Sequence, residues 1–214
     1  MEVETKYVVP DAAVFARLAS LDELAGLQLA DFQTVSVHDR YVDSPDYAFL
    51  HAGYSCRVRS KGGVVLVTVK SCVPASGALH SREEYETVIE PGTGRNPDSW
   101  PAGLAAGIAR RLSAGRPLEL LVELFQERQK RAMILPETGD RVIELSLDKA
   151  AFSGSAEKFY ELEAEERVAG QAALLARLDE VLTGEWGLAP QPLSKFERAL
   201  QLARPDLYEL LRRG

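Results

Sequence analysis

Polar and apolar side chains alternate with a period of two along much of this chain, and many of the polar positions carry charge. Glu2, Glu4 and Lys6 alternate with Val3, Thr5 and Tyr7, and Arg57 and Arg59 with Cys56 and Val58. Arg82, Glu84 and Glu86 alternate with Glu83, Tyr85 and Thr87, and Glu144, Ser146 and Asp148 with Ile143, Leu145 and Leu147. Glu161, Glu163 and Glu165 do the same with Tyr160, Leu162 and Ala164. A strand sends successive side chains to opposite faces, so each segment has one charged and one apolar face. The pattern predicts about eight strands, near 1–9, 32–43, 54–61, 64–72, 82–91, 121–135, 141–149 and 158–167. Gly62-Gly63 is a two-residue hairpin signal that fixes one register. It sets Arg57 opposite Thr68 and Ser55 opposite Lys70, so that Arg57, Arg59 and Lys70 share a face.

Period-3.6 patterns fill the gaps. A helix is expected over 11–20 behind Pro10, and another over 97–113 with Asn96 as N-cap and Pro97 in the first turn. Leu174, Leu175, Leu178, Val181 and Leu182 predict a third over 166–183, ending at Gly184. Ser194-Lys195-Phe196-Glu197 reads as a capping box that starts a helix at Lys195, and Pro205-Asp206 opens a short last one. The expected architecture is α+β: a closed antiparallel barrel of about eight strands, charged faces inward, helices packed outside and at the C-terminus. One domain over 1–214 is expected, with a helical insertion at about 92–118 and C-terminal helices over about 166–214. The bland alternative is an open sheet with every charged face in water.

Composition narrows the function classes. A net charge of −7 argues against a nucleic-acid partner, which a basic excess usually marks. Met1 runs directly into the charged first strand, leaving no signal peptide to expect, and no apolar run nears the ~20 residues of a membrane helix. Cys56 and Cys72 are too few for a disulfide framework or a cysteine-rich zinc site, so the expected compartment is the cytoplasm. Oligomeric state is not legible.

The strand charges fall into two sets. The anionic set is Glu2, Glu4, Asp148, Glu161 and Glu163, with Glu84 and Glu86 as further candidates. The cationic set is Lys6, Arg57, Arg59, Lys70, Arg82, one or more of Arg128, Lys130 and Arg131, and Lys195 as a further candidate. Two like charges ~4 Å apart at an effective dielectric of ~20 repel by ~4 kcal/mol, so enclosed carboxylates call for a divalent cation at neutral pH. An all-oxygen set suits Mg2+ or Mn2+ rather than zinc. The cationic wall calls for a polyanion, since guanidinium forks match phosphate oxygens. Trp100 and Trp186 read as core residues, Cys56 as an inert apolar-face thiol, and Tyr41 and Asp43 as anchors of the Ser44-Pro45 turn. His38, His51 and His80 lack partners at catalytic or metal spacing, and no Walker loop, dinucleotide fingerprint or nucleophile elbow occurs.

Ordered along the chain, EVETK, RYVDSP, CRVR, VTVK, REEYE, QKR, ELSLDKAAF, YELEAE and PLSKF resemble the CYTH superfamily, the triphosphate tunnel metalloenzymes. That superfamily includes small bacterial adenylate cyclases and thiamine triphosphatases. The C-terminal PLSKFERALQLARPDLYELL is most similar to the thiamine triphosphatases. The resemblance implies that Glu2, Glu4, Asp148, Glu161 and Glu163 ligate metal, and that Lys6, Arg57, Arg59, Lys70, Arg131 and Lys195 hold a phosphate chain. Arg131 breaks the alternation of Arg128 and Lys130; a bulge would turn it inward, and without one Arg128 or Lys130 replaces it. Animal thiamine triphosphatases carry a Trp two residues before the first Arg of the Arg-x-Arg pair, where this chain has Ser55. The expected activity is metal-dependent hydrolysis of inorganic or a small organic triphosphate, with Glu2, Glu4, Lys6 and Glu163 catalytic and Arg82 among the substrate contacts. The alternatives are an adenylate cyclase that attacks the α-phosphorus with the ribose 3′-hydroxyl, and a polyphosphate-binding module without turnover.

Overall fold

The Gly62-Gly63 turn sets the register expected of it. Both glycines have positive φ, +55° and +81°, the requirement of the tight hairpin turn whose twist matches its strands. In the computed structural model, which describes residues 1–155 and 158–213, strand β5 (Tyr54–Lys61) pairs with β6 (Val64–Ser71), with Arg57 opposite Thr68 and Ser55 opposite Lys70. Gly214, the end of the expected C-terminal helical segment, lies outside the described residues.

Around this hairpin the chain builds one antiparallel sheet that curls into a nearly closed barrel of about nine strands. The long members are β1 (Glu2–Val9), β4 (Gln33–Asp43), β5, β6, β9 (Glu119–Ile134), β10 (Arg141–Phe152) and β11 (Phe159–Glu166). Their order is β1-β11-β10-β9-β4-β5-β6. The strand expected over 82–91 is divided. Its first residue, Arg82, ends an earlier strand, β7 (Leu79–Arg82), which pairs with β1, and the rest forms β8 (Glu84–Ile89), which pairs with β6. That step carries the chain from one edge of the sheet to the other and brings the two edges together. Short pairings that alternation did not predict are β2 (Glu23–Leu24) with β3 (Leu27–Leu29), and β12 (Ala189–Pro190) against β1.

The apolar faces point outward and are covered. Tyr7, Val9, Leu145, Leu147 and Leu162 pack under α1 (Ala12–Ala19) and α4 (Ala172–Glu180). Cys56, Val58, Val67 and Val69 pack with Trp100 and α3 (Leu104–Ser113). At one end the inward side itself turns apolar: Tyr41, Leu124 and Phe152 meet Phe196 and Leu200 of α5 (Lys195–Ala203) and Leu207 of α6 (Pro205–Arg213). A short helix, α2 (Ala48–His51), is held by the buried Asp43 carboxylate, which accepts from the amides of Ser44, Phe49 and Leu50. Asp43 is thus the anchor that the turn suggested.

Two helices differ from expectation for local reasons. Only a single 3₁₀ turn forms over Pro97–Ser99, and α3 begins at Leu104. Pro101 forces Trp100 into an extended conformation, φ −81° and ψ 146°, because its ring clashes with a helical predecessor. Gly103 then passes so close to β8 that a Cβ there would lie 2.5 Å from the Thr87 hydroxyl. The helix expected over 166–183 starts only at Ala172, because β11 runs to Glu166 and Gly170 takes φ +94°. It continues past Glu180 as a π-helical turn, Val181–Glu185.

The capping box at α5 is complete. The Ser194 hydroxyl accepts from the Glu197 amide at 3.2 Å, and the Ser194 amide donates to the Glu197 carboxylate at 2.8 Å. Ser194→Ala is expected to lower stability by about 1 kcal/mol, read as a drop in the urea midpoint at unchanged slope. An unchanged midpoint would show that α5 is held by tertiary contacts alone.

Candidate functional site

The barrel interior is charged because the register aligns the charged faces of its strands. Lys6 lies opposite Glu163, and Glu4 opposite Glu165. Asp148 lies opposite Glu161 on one side and Arg128 on the other, while Arg57 faces Tyr41 and Thr68. These side chains line an interior cavity of about 250 Å3. Its walls carry Lys6, Arg57, Arg59, Lys61, Lys70, Arg82, Arg128, Lys130, Arg167 and Lys195, facing Glu2, Glu4, Glu84, Glu86, Glu144, Glu163 and Glu165.

Against this cavity lies a buried triad of carboxylates, of which Glu163 lines the cavity itself. Asp148, Glu161 and Glu163 each offer one oxygen, and these oxygens lie within 4.8 Å of one another. The Lys195 ammonium donates to Glu163 at 2.7 Å and to Glu161, and pairs with Asp148 at 3.0 Å. Lys6 donates to the same Glu163 oxygen at 2.7 Å. Arg128 forks onto Asp148 and reaches the other Glu163 oxygen at 2.5 Å. Arg198 donates to Glu161 at 3.1 Å. Burial alone would push the Glu163 carboxyl up, but Lys195, Lys6 and Arg128 hold it well below the usual carboxylate range. Asp148 is lowered in the same way by Arg128 and Lys195 against its burial. Glu161 is raised, because burial and its neighbour Glu163 outweigh Lys195.

A second group lies on the far side of Lys6. Lys70 pairs with Glu2, with Glu4 at 3.5 Å and with Glu84 at 3.6 Å, and Lys6 reaches Glu4 at 3.0 Å. Arg57 faces Glu84 at 3.5 Å and Asp39 at 3.8 Å. Asp39 takes a fork from Arg59 at 2.7 and 2.8 Å and a bond from the Gln126 amide at 2.8 Å. Burial would raise its carboxyl, but Arg57 and Arg59 hold it at about 2. Arg82 pairs with the buried His80 ring and faces Glu197 at 3.8 Å, while His80 donates from Nε2 to the Gln191 carbonyl at 2.8 Å. Arg57 and Arg82 each keep a buried Nε–H with no hydrogen-bond partner among the described residues.

The five expected metal ligands therefore form two groups. Asp148, Glu161 and Glu163 gather on Lys195, whereas Glu2 and Glu4 gather on Lys70, with Lys6 between the groups. Lys6, Arg57, Arg59, Lys70, Arg82 and Lys195 all line the interior. Arg131 does not, and its expected place among the phosphate contacts is corrected. The register of β9 against β10 runs unbroken from Phe152 to Ile143, and its only shift, between Ile143 and Arg141, comes too late to turn Arg131 inward. Arg131 points outward, where its guanidinium donates to the carbonyls of Ala30, Ala19, Leu21 and Leu29. Arg128 and Lys130 face inside in its stead.

Several interior groups escaped the sequence reading. Lys61 continues the alternation of Arg57 and Arg59 and was accessible from the hairpin register. Glu144 and Glu165, which alternation already put on the charged faces, join the interior toward the rim although neither was among the expected ligands. Asp39 gave no such signal, because its facing neighbours Val37 and Tyr41 are apolar and only pairing with Arg59 reveals its role.

The donor set fits a divalent cation. It consists of oxygens only, and the Lys195 ammonium already bonds to all three carboxylates, so a positive centre is accommodated there.

Residues 1–200 match the CYTH domain family. The chain belongs to the CYTH domain family. Members of this family are typically triphosphate-tunnel enzymes, and CYTH enzymes use divalent metals. Among solved structures the chain is similar to a Hippeastrum protein described as an adenylyl cyclase candidate with a dominant triphosphatase activity. The two are 19% identical over 92% of this chain and 93% of that one, with a TM-score of 0.71. A Bacillus halodurans protein described as an adenylate cyclase candidate is 20% identical over 95% and 97%, TM-score 0.62. A Pyrococcus horikoshii protein is 20% identical over 94% and 99%, TM-score 0.58. At such identities the likeness speaks for the CYTH fold. Among the described residues no helix is long and apolar enough to cross a membrane.

At the rim, burial pushes the Glu165 carboxyl up to about 7; Arg167 opposes this, and the neighbouring Glu2, Glu4 and Glu144 add to it. Between the ordinary carboxylate range and about pH 7 the native state therefore holds a proton that the unfolded chain has released. This contribution lowers stability as pH rises through that window. Glu165→Gln is expected to gain stability over the parent at pH 8 and not at pH 4, measured by urea unfolding. An equal difference at both values would contradict the proton assignment.

Proposed function

We propose that this CYTH domain is a divalent-metal-dependent triphosphatase, which takes inorganic triphosphate or a small organic triphosphate into the barrel and releases diphosphate and phosphate. One observation carries the reading: a buried carboxylate triad sits beside a cavity walled by lysines and arginines, two of which keep unpaired donors. The cavity volume favours a compact polyanion, since pockets for drug-sized ligands span ~300–1,000 Å3. A nucleoside attached to the chain would remain at the mouth.

Phosphoryl transfer asks mainly for positioning and neutralisation of charge. Arg57, Arg59, Lys70 and Arg82 bind one stretch of the phosphate chain, and Lys6, Arg128 and Lys195 bind the stretch nearest the triad. Asp148, Glu161 and Glu163 would hold the cation, and Glu2 and Glu4 lie across Lys6 from them. When bound, the metal supplies charge neutralisation at the phosphate oxygens. Water adds to the terminal phosphorus and gives up a proton to solvent, the bridging P–O bond breaks, and its electron pair leaves with the diphosphate. The Lys and Arg wall stabilises the charge that develops on that leaving oxygen. Magnesium or manganese, water and the triphosphate suffice for this balance, and cytoplasmic residence accords with it.

The cyclase reading has its own support in the two similar structures described as adenylyl or adenylate cyclase candidates. The Hippeastrum protein's dominant triphosphatase activity favours hydrolysis.

With Mg2+ and inorganic triphosphate, phosphate release is expected and EDTA is expected to abolish it. Glu163→Gln is expected to cut turnover by on the order of 100-fold or more while triphosphate still binds, and Arg57→Ala to weaken binding by at least ~10-fold. With ATP the expected products are ADP and phosphate. Cyclic AMP with pyrophosphate would establish the cyclase instead, and release that persists in EDTA would defeat the metal-dependent reading.

A further inference from the structure

Lys195 does two things that do not ordinarily go together. It lines the cavity, where the proposed function gives it a phosphate oxygen, and its ammonium bonds to all three carboxylates of the triad. Each of these carboxylates offers a cation one oxygen, and the three lie within 4.8 Å of one another. One positive centre bonded to Asp148, Glu161 and Glu163 together fills the place where their charges converge. A buried carboxylate left without a counter-charge is strongly destabilising, so the metal-free barrel needs such an occupant.

We infer that Lys195 is the resident cation of the metal-free protein, a tethered stand-in that a divalent ion must displace. Once displaced, its ammonium is freed toward the cavity to meet the phosphate chain. This rests on the triphosphatase reading for the fate of Lys195 but adds a distinct claim: the same side chain blocks the cation site until the ion arrives. The displacement has consequences for α5, which Phe196 and Leu200 seat on the barrel by apolar packing and which ion pairs tie to its acids. Besides Lys195, its Arg198 holds Glu161 at 3.1 Å and its Glu197 faces Arg82 at 3.8 Å. Loss of the Lys195 contacts weakens one of the ties between α5 and the floor of the cavity, so α5 responds to metal before any phosphate is bound. Lys6 and Arg128 differ, because each reaches at most two members of the triad and belongs to a barrel strand.

The probe is Mn2+ alone, without triphosphate. In the parent protein, saturation with Mn2+ is expected to speed amide hydrogen exchange over 195–203 and to slow it in the strands that carry the triad, β10 and β11. In Lys195→Gln, which removes the competing charge, Mn2+ is expected to bind at least tenfold tighter than in the parent by calorimetric titration. Unchanged or slowed exchange over 195–203 in the Mn2+-loaded parent overturns the inference whether or not the variant folds. Equal or weaker Mn2+ binding by a folded Lys195→Gln overturns it as well. Mn2+ binding without a response of α5 would sink only the stand-in role. Failure of Mn2+ to bind either protein would sink the metal-dependent reading with it.

Discussion

Carboxylates enclosed in a barrel cannot share an interior without opposite charge between them, and the rest of this structure follows from that constraint. Two like charges ~4 Å apart repel by ~4 kcal/mol at an effective dielectric of ~20, a large part of a domain's whole stability. Glu163 alone is met by Lys6, Arg128 and Lys195, and Asp39 by Arg57 and Arg59. Because desolvating each pair costs about as much as the attraction returns, such an interior adds little net stability. Under the proposed function its use lies instead in a ligand that is itself both cation and polyanion.

The constraint also decides where the apolar residues go. A barrel filled with charge cannot be its own core, so the hydrophobic faces turn outward and take their cover from α1, α4 and α3. Only where α5 and α6 close one end does the inward side become apolar, through Tyr41, Leu124 and Phe152. The helix that stops that end is the one that carries Lys195 and Arg198 to the acidic triad. Packing and chemistry thus meet on α5: the apolar Phe196 and Leu200 seat it, and its cations reach the triad.

Alternation made most of this legible. Charges at every second residue of Glu2–Lys6, Arg57–Arg59 and Glu161–Glu165 already implied a shared inner face, and Gly62-Gly63 fixed one register to the residue. What alternation cannot carry is pairing between strands distant in sequence. Asp39 looked unremarkable beside Val37 and Tyr41 until β4 was set against β5, where it meets Arg59. Arg131 shows the opposite failure. Motif likeness placed it inside, whereas the period-two rule kept it outside, and with no bulge at hand the period won. The break between β7 and β8 was hidden for a related reason, since the charged period runs through 82–86 while the pairing partner changes from β1 to β6. The division of the acids into a triad on Lys195 and a pair on Lys70 depends on side-chain reach, which no spacing in the chain records.

Under the proposed function these acids and bases enclose a metal and a phosphate chain in one interior. A crystal structure of the protein with Mn2+ and inorganic triphosphate, with the metal located by anomalous scattering, tests it most directly. The anomalous peak is expected against Asp148, Glu161 and Glu163, with the phosphate chain running from there past Lys6 to Arg57 and Lys70. A peak and a phosphate chain on the outer surface of the barrel, with the Lys195 contacts to the triad intact, would contradict the account.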